Sequence, residues 1–231
     1  MESKYIKYLK SGFLVLYLWI LIPCNLLSHL FELTELAWVS KILLMPTLAG
    51  YFFVDVKYKN KPITKFVFLA LLFSWLGDVF LIWHVEYPIL FLIGLGAFLI
   101  AHINYVLVFM LDVEWNKKYG ATVWITLLAM LTYTVWLVNT LWPSLGELKI
   151  PVVIYSIVLL FMGVASLIRK IEIGYFSVFI GAILFISSDS ILAINKFHFP
   201  LIYGEFWVMI TYTLAQLFII LGVIKVINSK V

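Results

Sequence analysis

The sequence predicts an all-α integral membrane protein with eight transmembrane helices. Of its 231 residues, 65% are hydrophobic and only 12% are charged, whereas soluble domains have about 45–50% apolar and about 25% charged residues. The mean hydropathy is +1.10. A chain of this length cannot bury so many apolar side chains in one core, so a lipid bilayer must surround it.

Eight apolar stretches are long enough to cross the hydrocarbon core, which takes about 20 helical residues. Backbone groups find no water partners in lipid, so these stretches are expected to be helices. The connections are short, which predicts a single transmembrane domain over residues 1–231. Pro46 lies inside the second span and is expected to kink it. The predicted spans are residues 12–30, 36–54, 66–83, 88–111, 121–141, 150–168, 175–194 and 203–227.

Lysine and arginine are divided unequally between the two sides of the predicted bundle. Lys149 and Lys196 lie on one side and Lys41 lies within a span. Because cytoplasmic loops carry the excess of basic residues, both termini are predicted to be cytoplasmic. We expect a multi-pass protein of the cell membrane, the inner membrane if the source is bacterial. The side of the termini carries Lys4, Lys7, Lys10, Lys57, Lys59, Lys61, Lys65, Lys117, Lys118, Arg169, Lys170, Lys225 and Lys230.

A weak internal repeat relates the two halves of the chain. "FSWLGDVFLI" in span 3 matches "FISSDSILAI" in span 7, with Asp78 and Asp189 in register. "FLIAHINYVLVF" in span 4 matches "YTLAQLFIILGV" in span 8, which aligns His102 with Gln216. An offset of four spans preserves direction, so the pattern is that of a parallel 4+4 repeat.

Several classes of function receive no support from the sequence. No basic cluster indicates a nucleic-acid partner, and Cys24 is the single cysteine, which excludes an intramolecular disulfide. No two histidines have ligand spacing, so neither a metal nor another cofactor is predicted. There is no glycine-rich phosphate loop and no G-x-S-x-G nucleophile motif. The oligomeric state is not indicated.

Three charged residues lie clearly within the predicted spans, away from the span ends, namely Lys41, Asp78 and Asp189. A charged side chain in the bilayer centre costs about 2.5–3.5 kcal/mol on insertion scales, so such residues are usually functional. Each of the three lies five residues from the same side of the membrane, roughly 8 Å deep at 1.5 Å per residue. The sequence therefore predicts that they share one layer of the bundle.

Other polar residues are candidates to support this layer. Ser74 precedes Asp78 by four residues, and Tyr212 precedes Gln216 by four, so each pair shares a helix face. His102 is expected to be a hydrogen-bonded helix residue rather than a metal ligand. Span 6 is expected to be a packing helix. The full set of supporting candidates is Asn25, Lys41, Ser74, His102, Tyr105, Ser188, Tyr212 and Gln216.

The three ionisable groups admit two interpretations. Lys41 could simply neutralise one aspartate, which would leave the other without a cation in its layer. Alternatively, the two carboxyl groups share a proton. An acid that keeps its proton beside an ionised carboxylate is the arrangement that general acid–base catalysis uses.

Five motifs resemble those of the YhhN/lysoplasmalogenase family. They recur in the family's order between residues 38 and 222: "KILLMPTLAG", "SWLGDVFLI", "IAHINYVLVF", "SSDSILAINKF" and "TYTLAQLF". The resemblance implies an eight-span enzyme that hydrolyses the vinyl ether bond of lysoplasmalogens to a fatty aldehyde and glycerophosphoethanolamine or glycerophosphocholine. It maps the family's paired acids onto Asp78 and Asp189. Thr213 departs from the second aromatic residue expected after Tyr212, which affects the expected shape of the pocket.

The residues themselves fit this chemistry. Vinyl ether cleavage needs one acid to protonate carbon and one carboxylate to stabilise the resulting cation and activate water, as in glycoside hydrolysis. The expected partners are a lysophospholipid substrate within the bilayer and the surrounding membrane lipids. Two other classes remain open, a small proton-coupled transporter and a lipid-binding or assembly protein with a structural Lys–Asp cluster.

Overall fold

The computed structural model of the chain describes residues 4–56, 62–116, 118–170 and 173–229, with side chains described from residue 8 onward. Within these ranges eight helical spans are long and apolar enough to cross a membrane. The predicted number of spans is therefore confirmed. The helices are α1 (Lys4–Val15), α2 (Ile22–Leu30), α3 (Thr34–Asp55), α4 (Pro62–Ile82), α5 (Ile89–Met110), α6 (Ala121–Leu141), α7 (Lys149–Leu167), α8 (Tyr175–Phe197) and α9 (Gly204–Ser229).

The first span combines α1 and α2 through a π-helical turn, Leu16–Leu21. Pro46 lies inside α3, which is continuous from Thr34 to Asp55, and the kink expected at Pro46 stays a prediction. The first span has an irregular backbone just before Pro23, at the start of α2. Proline and π turns are recognised causes of local helix distortion. Tyr17, buried in this turn, donates a hydrogen bond of 3.0 Å to the carbonyl oxygen of Thr213 on α9.

Two helix pairs, α4 with α5 and α8 with α9, make the most extensive contacts in the bundle. Glycine allows α8 and α9 to approach closely. A Cβ atom at Gly181 would lie 2.9 Å from the carbonyl oxygen of Ala215, and one at Gly222 would lie 2.8 Å from that of Gly174. Small residues serve this purpose in membrane helices because no hydrophobic force draws helices together in lipid.

Helices α9 and α6 occupy opposite extremes of burial. In the most apolar window of the last span 67% of residues are buried, against 6% in the span that contains α6. Helix α9 is therefore the centre of the bundle. Helix α6 stands at its periphery, where it contacts mainly α7.

The two ends of the bundle can be told apart by their contacts. At the end that holds both termini, here called the terminal end, Lys10 Nζ lies 2.5 Å from Asp55 Oδ1. Asn228 Nδ2 donates to the carbonyl oxygen of Asp55 at 3.0 Å. We call the other end the far end. The assignment of the terminal end to the cytoplasm stays a prediction, since its evidence includes Lys4, Lys7, Lys57, Lys59, Lys61, Lys117 and Lys230, whose side chains lie outside the described residues.

A buried ion pair joins two loops near the terminal end. Arg169 Nη2 donates to Asp112 Oδ2 at 3.0 Å, and both side chains are 1% exposed. The backbone N–H of Lys170 donates to the carbonyl oxygen of Asp112 at 3.1 Å. These contacts connect the segment that follows α5 to the segment that follows α7. In the sequence, Arg169 only contributes to the predicted orientation of the bundle, and nothing indicates its ion-pair partner.

Candidate active site

Asp78 on α4 and Asp189 on α8 line one cavity of about 40 Å³, here called the acid cavity. It lies in the half of the bundle nearer the far end, as the depth calculation predicts. Asp78 is 1% exposed, and the side chain of Asp189 is 11% exposed. Since a water molecule needs about 10–15 Å³ of such space, the cavity that both acids line has room for water. Its other lining residues include Lys41, His84, Phe98, Ser188, Glu205 and Tyr212.

Two hydrogen bonds connect α4 to α9, one at Asp78 and one at Ser74, a helical turn before it. Tyr212 O–H donates to Asp78 Oδ2 at 2.8 Å, and Gln216 Nε2 donates to Ser74 Oγ at 3.0 Å. Tyr105 O–H donates in turn to Gln216 Oε1. The sequence predicts that Ser74 and Asp78 share a face and that Tyr212 and Gln216 share another. The structure brings these two faces together.

Asp189 is held by a different helix, α7. Tyr155 O–H donates to Asp189 Oδ2 at 2.6 Å. His102 Nε2 lies 3.6 Å from the same oxygen, which is longer than a hydrogen bond. Helix α7 corresponds to the predicted span 6, which was expected to be a packing helix. That expectation is wrong, because Tyr155 on this helix binds one of the two acids.

His102 is fully buried on α5. Neither of its ring nitrogens has a hydrogen-bond partner among the described residues, so it is not the hydrogen-bonded helix residue that we expected. Its ring instead meets the rings of Tyr155 and Phe185 edge-on, with centroid separations of 5.3 and 4.6 Å. It is the polar group closest to Asp189 on the α5 side.

Lys41 lies in the wall of the acid cavity without forming a direct ion pair. No contact of 4.0 Å or less joins its ammonium to Asp78 or Asp189, both of which the structure describes. Trp75 Nε1 donates to the carbonyl oxygen of Ile42 at 3.0 Å, which fixes α4 beside the part of α3 that carries Lys41.

Two further candidate residues differ in position. Ser188 lines the acid cavity and donates to the carbonyl oxygen of Val208 at 3.1 Å. Asn25 does not line it. The amide of Asn25 donates to the carbonyl oxygen of Ala37 at 3.1 Å and to Ser40 Oγ at 3.0 Å, which ties α2 to α3.

The acid cavity is one of four spaces that follow one another in a row. Towards the far end lies a polar space of about 630 Å³, the outer chamber, which shares Lys41, His84 and Glu205 with the acid cavity. Towards α7 lies a passage of about 50 Å³ lined by Asp189 and Tyr155. The passage shares Ser156, Leu159, Leu137 and Ser190 with a groove of about 360 Å³ between α6, α7 and α8, the side groove.

Sequence analysis missed the outer chamber and its residues. His29, His84 and Glu205 all line it, and the buried Nε2 of His29 has no hydrogen-bond partner among the described residues. The sequence did offer a signal, because these three residues fall at the ends of spans on the same side of the membrane. For His29 and His84, the sequence was interpreted only with respect to metal binding. Among the described residues, no group of three or more His, Cys, Asp or Glu side chains is arranged to hold a metal ion.

Comparison with known families agrees with the motifs. The model of the YhhN family matches residues 36–223. The chain belongs to the YhhN family. The matched segment of this YhhN protein includes both acids of the acid cavity, together with Lys41, Tyr155 and Tyr212. No curated protein and no solved structure matches the chain. The eight apolar helices make this YhhN protein an integral, multi-pass membrane protein in contact with lipid.

Proposed function

We propose that this YhhN protein is a lysoplasmalogenase-type hydrolase in which Asp78 and Asp189 carry out the chemistry. One observation carries the proposal: two carboxyl groups from different helices line the same small cavity. Each accepts a hydrogen bond from a tyrosine. Two largely enclosed acids that line one cavity with room for water are suited to proton transfer and to the activation of water.

The proposed reaction consumes one water and releases one aldehyde and one alcohol. An acid donates its proton to the vinyl carbon remote from oxygen, which leaves an oxocarbenium ion beside the ionised partner. That partner accepts a proton from water as the water oxygen bonds to the cationic carbon. The hemiacetal then collapses: its hydroxyl proton goes to the first acid, and the partner gives its proton to the glycerol oxygen as the carbon–oxygen bond to glycerol breaks. The sequence of steps parallels glycoside hydrolysis with paired carboxyl groups.

The surroundings of the two acids favour a division of roles. Both accept a tyrosine O–H, so the tyrosines do not distinguish them. Lys41 does, because the hydrogen bond from Trp75 to Ile42 holds its helix, α3, against α4, the helix that carries Asp78, and an ammonium stabilises an ionised carboxylate. We therefore assign the proton donor to Asp189 and the carboxylate that activates water to Asp78. His102, 3.6 Å from Asp189, would orient the donor or the incoming double bond.

The outer chamber is suited to a zwitterionic headgroup. Lys41, His29 and His84 offer nitrogen donors for a phosphate, and Glu32 and Glu205 offer carboxylates for an amine. The chamber lies at the far end of the bundle, where a lipid headgroup would meet water. A single-chain lipid placed there would present its ether linkage to the acid cavity next to it.

The test is hydrolysis by the purified protein in detergent. A vinyl ether lysophospholipid and its saturated alkyl ether counterpart are incubated separately, and aldehyde and glycerophospho-alcohol are measured by mass spectrometry. We expect turnover of the vinyl ether alone, because the saturated ether cannot accept a proton on carbon. Asp78→Asn and Asp189→Asn are each expected to lower kcat by at least about 100-fold, as loss of a general acid or base does.

Asp55→Asn provides a matched control, since the side chain of Asp55 is 10% exposed and lies at the terminal end, away from the acid cavity. It should retain the wild-type kcat once folded protein is measured. Undiminished turnover in both cavity variants would refute the mechanism. Solute uptake into proteoliposomes with no chemical change in any lipid would instead favour a transporter.

A further inference from the structure

We propose that the side groove binds the hydrocarbon chain of the lipid and that Met130 closes its inner end. The inference extends the proposed function, because it names the part of the protein that selects the chain of the substrate. It rests on features of α6, α7 and α8 that the catalytic proposal does not use. The occupant is one linear hydrocarbon chain, attached to the headgroup in the outer chamber.

The side groove has an apolar surface although several hydroxyl groups line it. The serine and threonine hydroxyls each donate to a carbonyl oxygen of their own helix. Thr134 Oγ1 donates to Met130 at 2.9 Å, Ser156 Oγ donates to Val152 at 2.8 Å, and Ser190 Oγ donates to Ile186 at 2.6 Å. These donors therefore point into the helices, and aliphatic carbon is left to contact a ligand. The lining contains no charged side chain for a headgroup, and Tyr133 brings its one other hydroxyl, so the groove is better suited to a hydrocarbon chain.

The groove lies beside the passage that reaches the acids. Leu137, Ser156, Leu159 and Ser190 line both the side groove and the passage, and Asp189 also lines the passage. A chain that left the acid cavity on the α7 side would therefore be directed towards the groove. The polar outer chamber lies on the other side of the acids. A molecule with one polar and one apolar end fits this row in only one direction.

The groove runs along α6 from near the depth of the acids. Its lining extends from Leu137 to Thr126, and the stretch from Leu137 to Met130 measures roughly 10 Å along the helix axis at 1.5 Å per residue. The hydrocarbon core of a membrane is about 30 Å thick and the acids lie roughly 8 Å deep, so the middle of the membrane falls near Met130. We call this level the inner end of the groove, although the lining continues beyond it to Thr126. A chain between the acids and the inner end would lie parallel to the chains of the surrounding lipids.

Met130 lies across the groove near its inner end. It is one of the few buried residues of α6, together with Leu137 and Leu141. Its methyl group contacts Gly163 on α7, at the position that a Cβ atom would occupy in any other residue. Gly163 therefore makes room for Met130, and Met130 limits how far a chain can extend between α6 and α7.

The first experiment maps the chain without requiring hydrolysis. A saturated single-chain alkyl ether lysophospholipid carrying a diazirine near the end of its chain is added to the protein in nanodiscs and photolysed. Labelled residues are then identified by mass spectrometry. We expect the label within residues 126–137 and 156–160, on side chains that line the groove, in excess of that on Leu128 and Val135, which face the bilayer. An excess of the same lipid without the diazirine should remove this label.

Thr134 and Val135 offer a matched pair of variants with nearly equal side-chain volume. Thr134 lines the groove, whereas Val135 is 61% exposed and does not. Thr134→Phe should fill the groove and abolish the competed label, and Val135→Phe should leave it unchanged. Both variants are first checked for cooperative thermal unfolding. If Thr134→Phe does not fold, the wild-type label map and Met130→Ala still decide the question.

The second experiment measures kcat/KM for vinyl ether substrates of increasing chain length. The chain passes from one apolar medium, the detergent or bilayer, into another, so kcat/KM should change little with chain length while the chain fits the groove. It should fall once the chain is long enough to reach Met130. Met130→Ala should move that fall to longer chains, and Thr134→Phe should move it to shorter ones.

The outcomes separate this inference from the catalytic proposal. Competed label in the groove without hydrolysis of any vinyl ether would refute the proposed reaction and leave the chain site standing. Hydrolysis with label spread evenly over the lipid-facing surface, unchanged in Thr134→Phe, would overturn the chain site alone. Label that no excess lipid removes would mean contact with bulk membrane lipid only, which also overturns it.

Discussion

Each carboxyl group of the acid cavity is fixed by a tyrosine from another helix, Tyr212 for Asp78 and Tyr155 for Asp189. A buried carboxyl group whose oxygen has no partner carries a full desolvation cost. The two tyrosines remove part of that cost and leave the second oxygen of each carboxyl group available to other partners. They are therefore positioning residues for the proposed acids.

Removal of either tyrosine hydroxyl should lower activity without unfolding the protein. A hydrogen bond to a charged group contributes about 1.5–3 kcal/mol. Tyr155→Phe and Tyr212→Phe are accordingly expected to lower kcat/KM for a vinyl ether lysolipid by about 10- to 100-fold, with the larger share in kcat. Aldehyde release measures this effect. Tyr87→Phe is the control, because Tyr87 is 59% exposed. Equal losses in kcat/KM for all three variants would contradict a positioning role.

At the scale of residues, the sequence predicts how deep a residue lies in the membrane better than it predicts which way its side chain points around the helix axis. Asp78, Asp189 and Lys41 share a layer because each position along a helix fixes a height in the membrane. Direction around the helix axis carries no such signal here. The sequence therefore pairs Tyr212 with Gln216 on one face but cannot tell that this face meets α4, nor that Tyr155 turns towards Asp189.

At the scale of helices, the hydropathy that predicts the spans does not predict their neighbours. A soluble helix marks its buried face with apolar residues, whereas a membrane helix is apolar on the side that meets protein and on the side that meets lipid. Close packing of α8 on α9 is marked only by glycines such as Gly181 and Gly222. Hydropathy likewise gives no indication of the π-helical turn that precedes Pro23 in the first span.

A larger residue at Gly181 should push α8 away from α9. A Cβ atom there would lie 2.9 Å from the carbonyl oxygen of Ala215, so Gly181→Leu requires backbone movement. Overpacking of this kind costs about 1–3 kcal/mol. We expect a lower midpoint of thermal unfolding in detergent and a loss of activity, because α8 carries Asp189 and α9 carries Tyr212.

Gly96→Leu on α5 serves as the comparison, since nothing lies within 4 Å of a Cβ atom at Gly96. This variant should unfold at the wild-type temperature. A Gly181→Leu protein with the stability and turnover of the wild type would show that α8 and α9 are not in backbone contact.

At the scale of the whole molecule, the acids hold together two helix pairs that are distant in sequence. Asp78 on α4 bonds to α9, while Asp189 on α8 bonds to α7 and approaches His102 on α5. A parallel 4+4 repeat makes α4 equivalent to α8 and α5 equivalent to α9. It therefore predicts that the acid of each half lies against a helix of the other half. The repeat and the cytoplasmic position of the termini stay predictions from the sequence.

The Arg169–Asp112 pair is expected to stabilise the bundle rather than to act in catalysis. Removing one partner of a buried ion pair costs about 3–5 kcal/mol. Arg169→Met should therefore lower the thermal unfolding midpoint strongly, while the folded fraction keeps its activity because the pair lies near the terminal end. Adding Asp112→Leu to Arg169→Met should restore much of the stability. A double variant as unstable as the single one would show that the cost is not that of an unpaired charge.

The row of spaces from the outer chamber to the side groove lies between two solvents, water at the far end and hydrocarbon at the flank of α6. In the proposed hydrolysis, each product would already lie next to the medium that dissolves it. The glycerophosphate part would diffuse outward and the aldehyde would diffuse sideways into the leaflet. Departure in opposite directions would clear the acids for the next substrate without any moving gate.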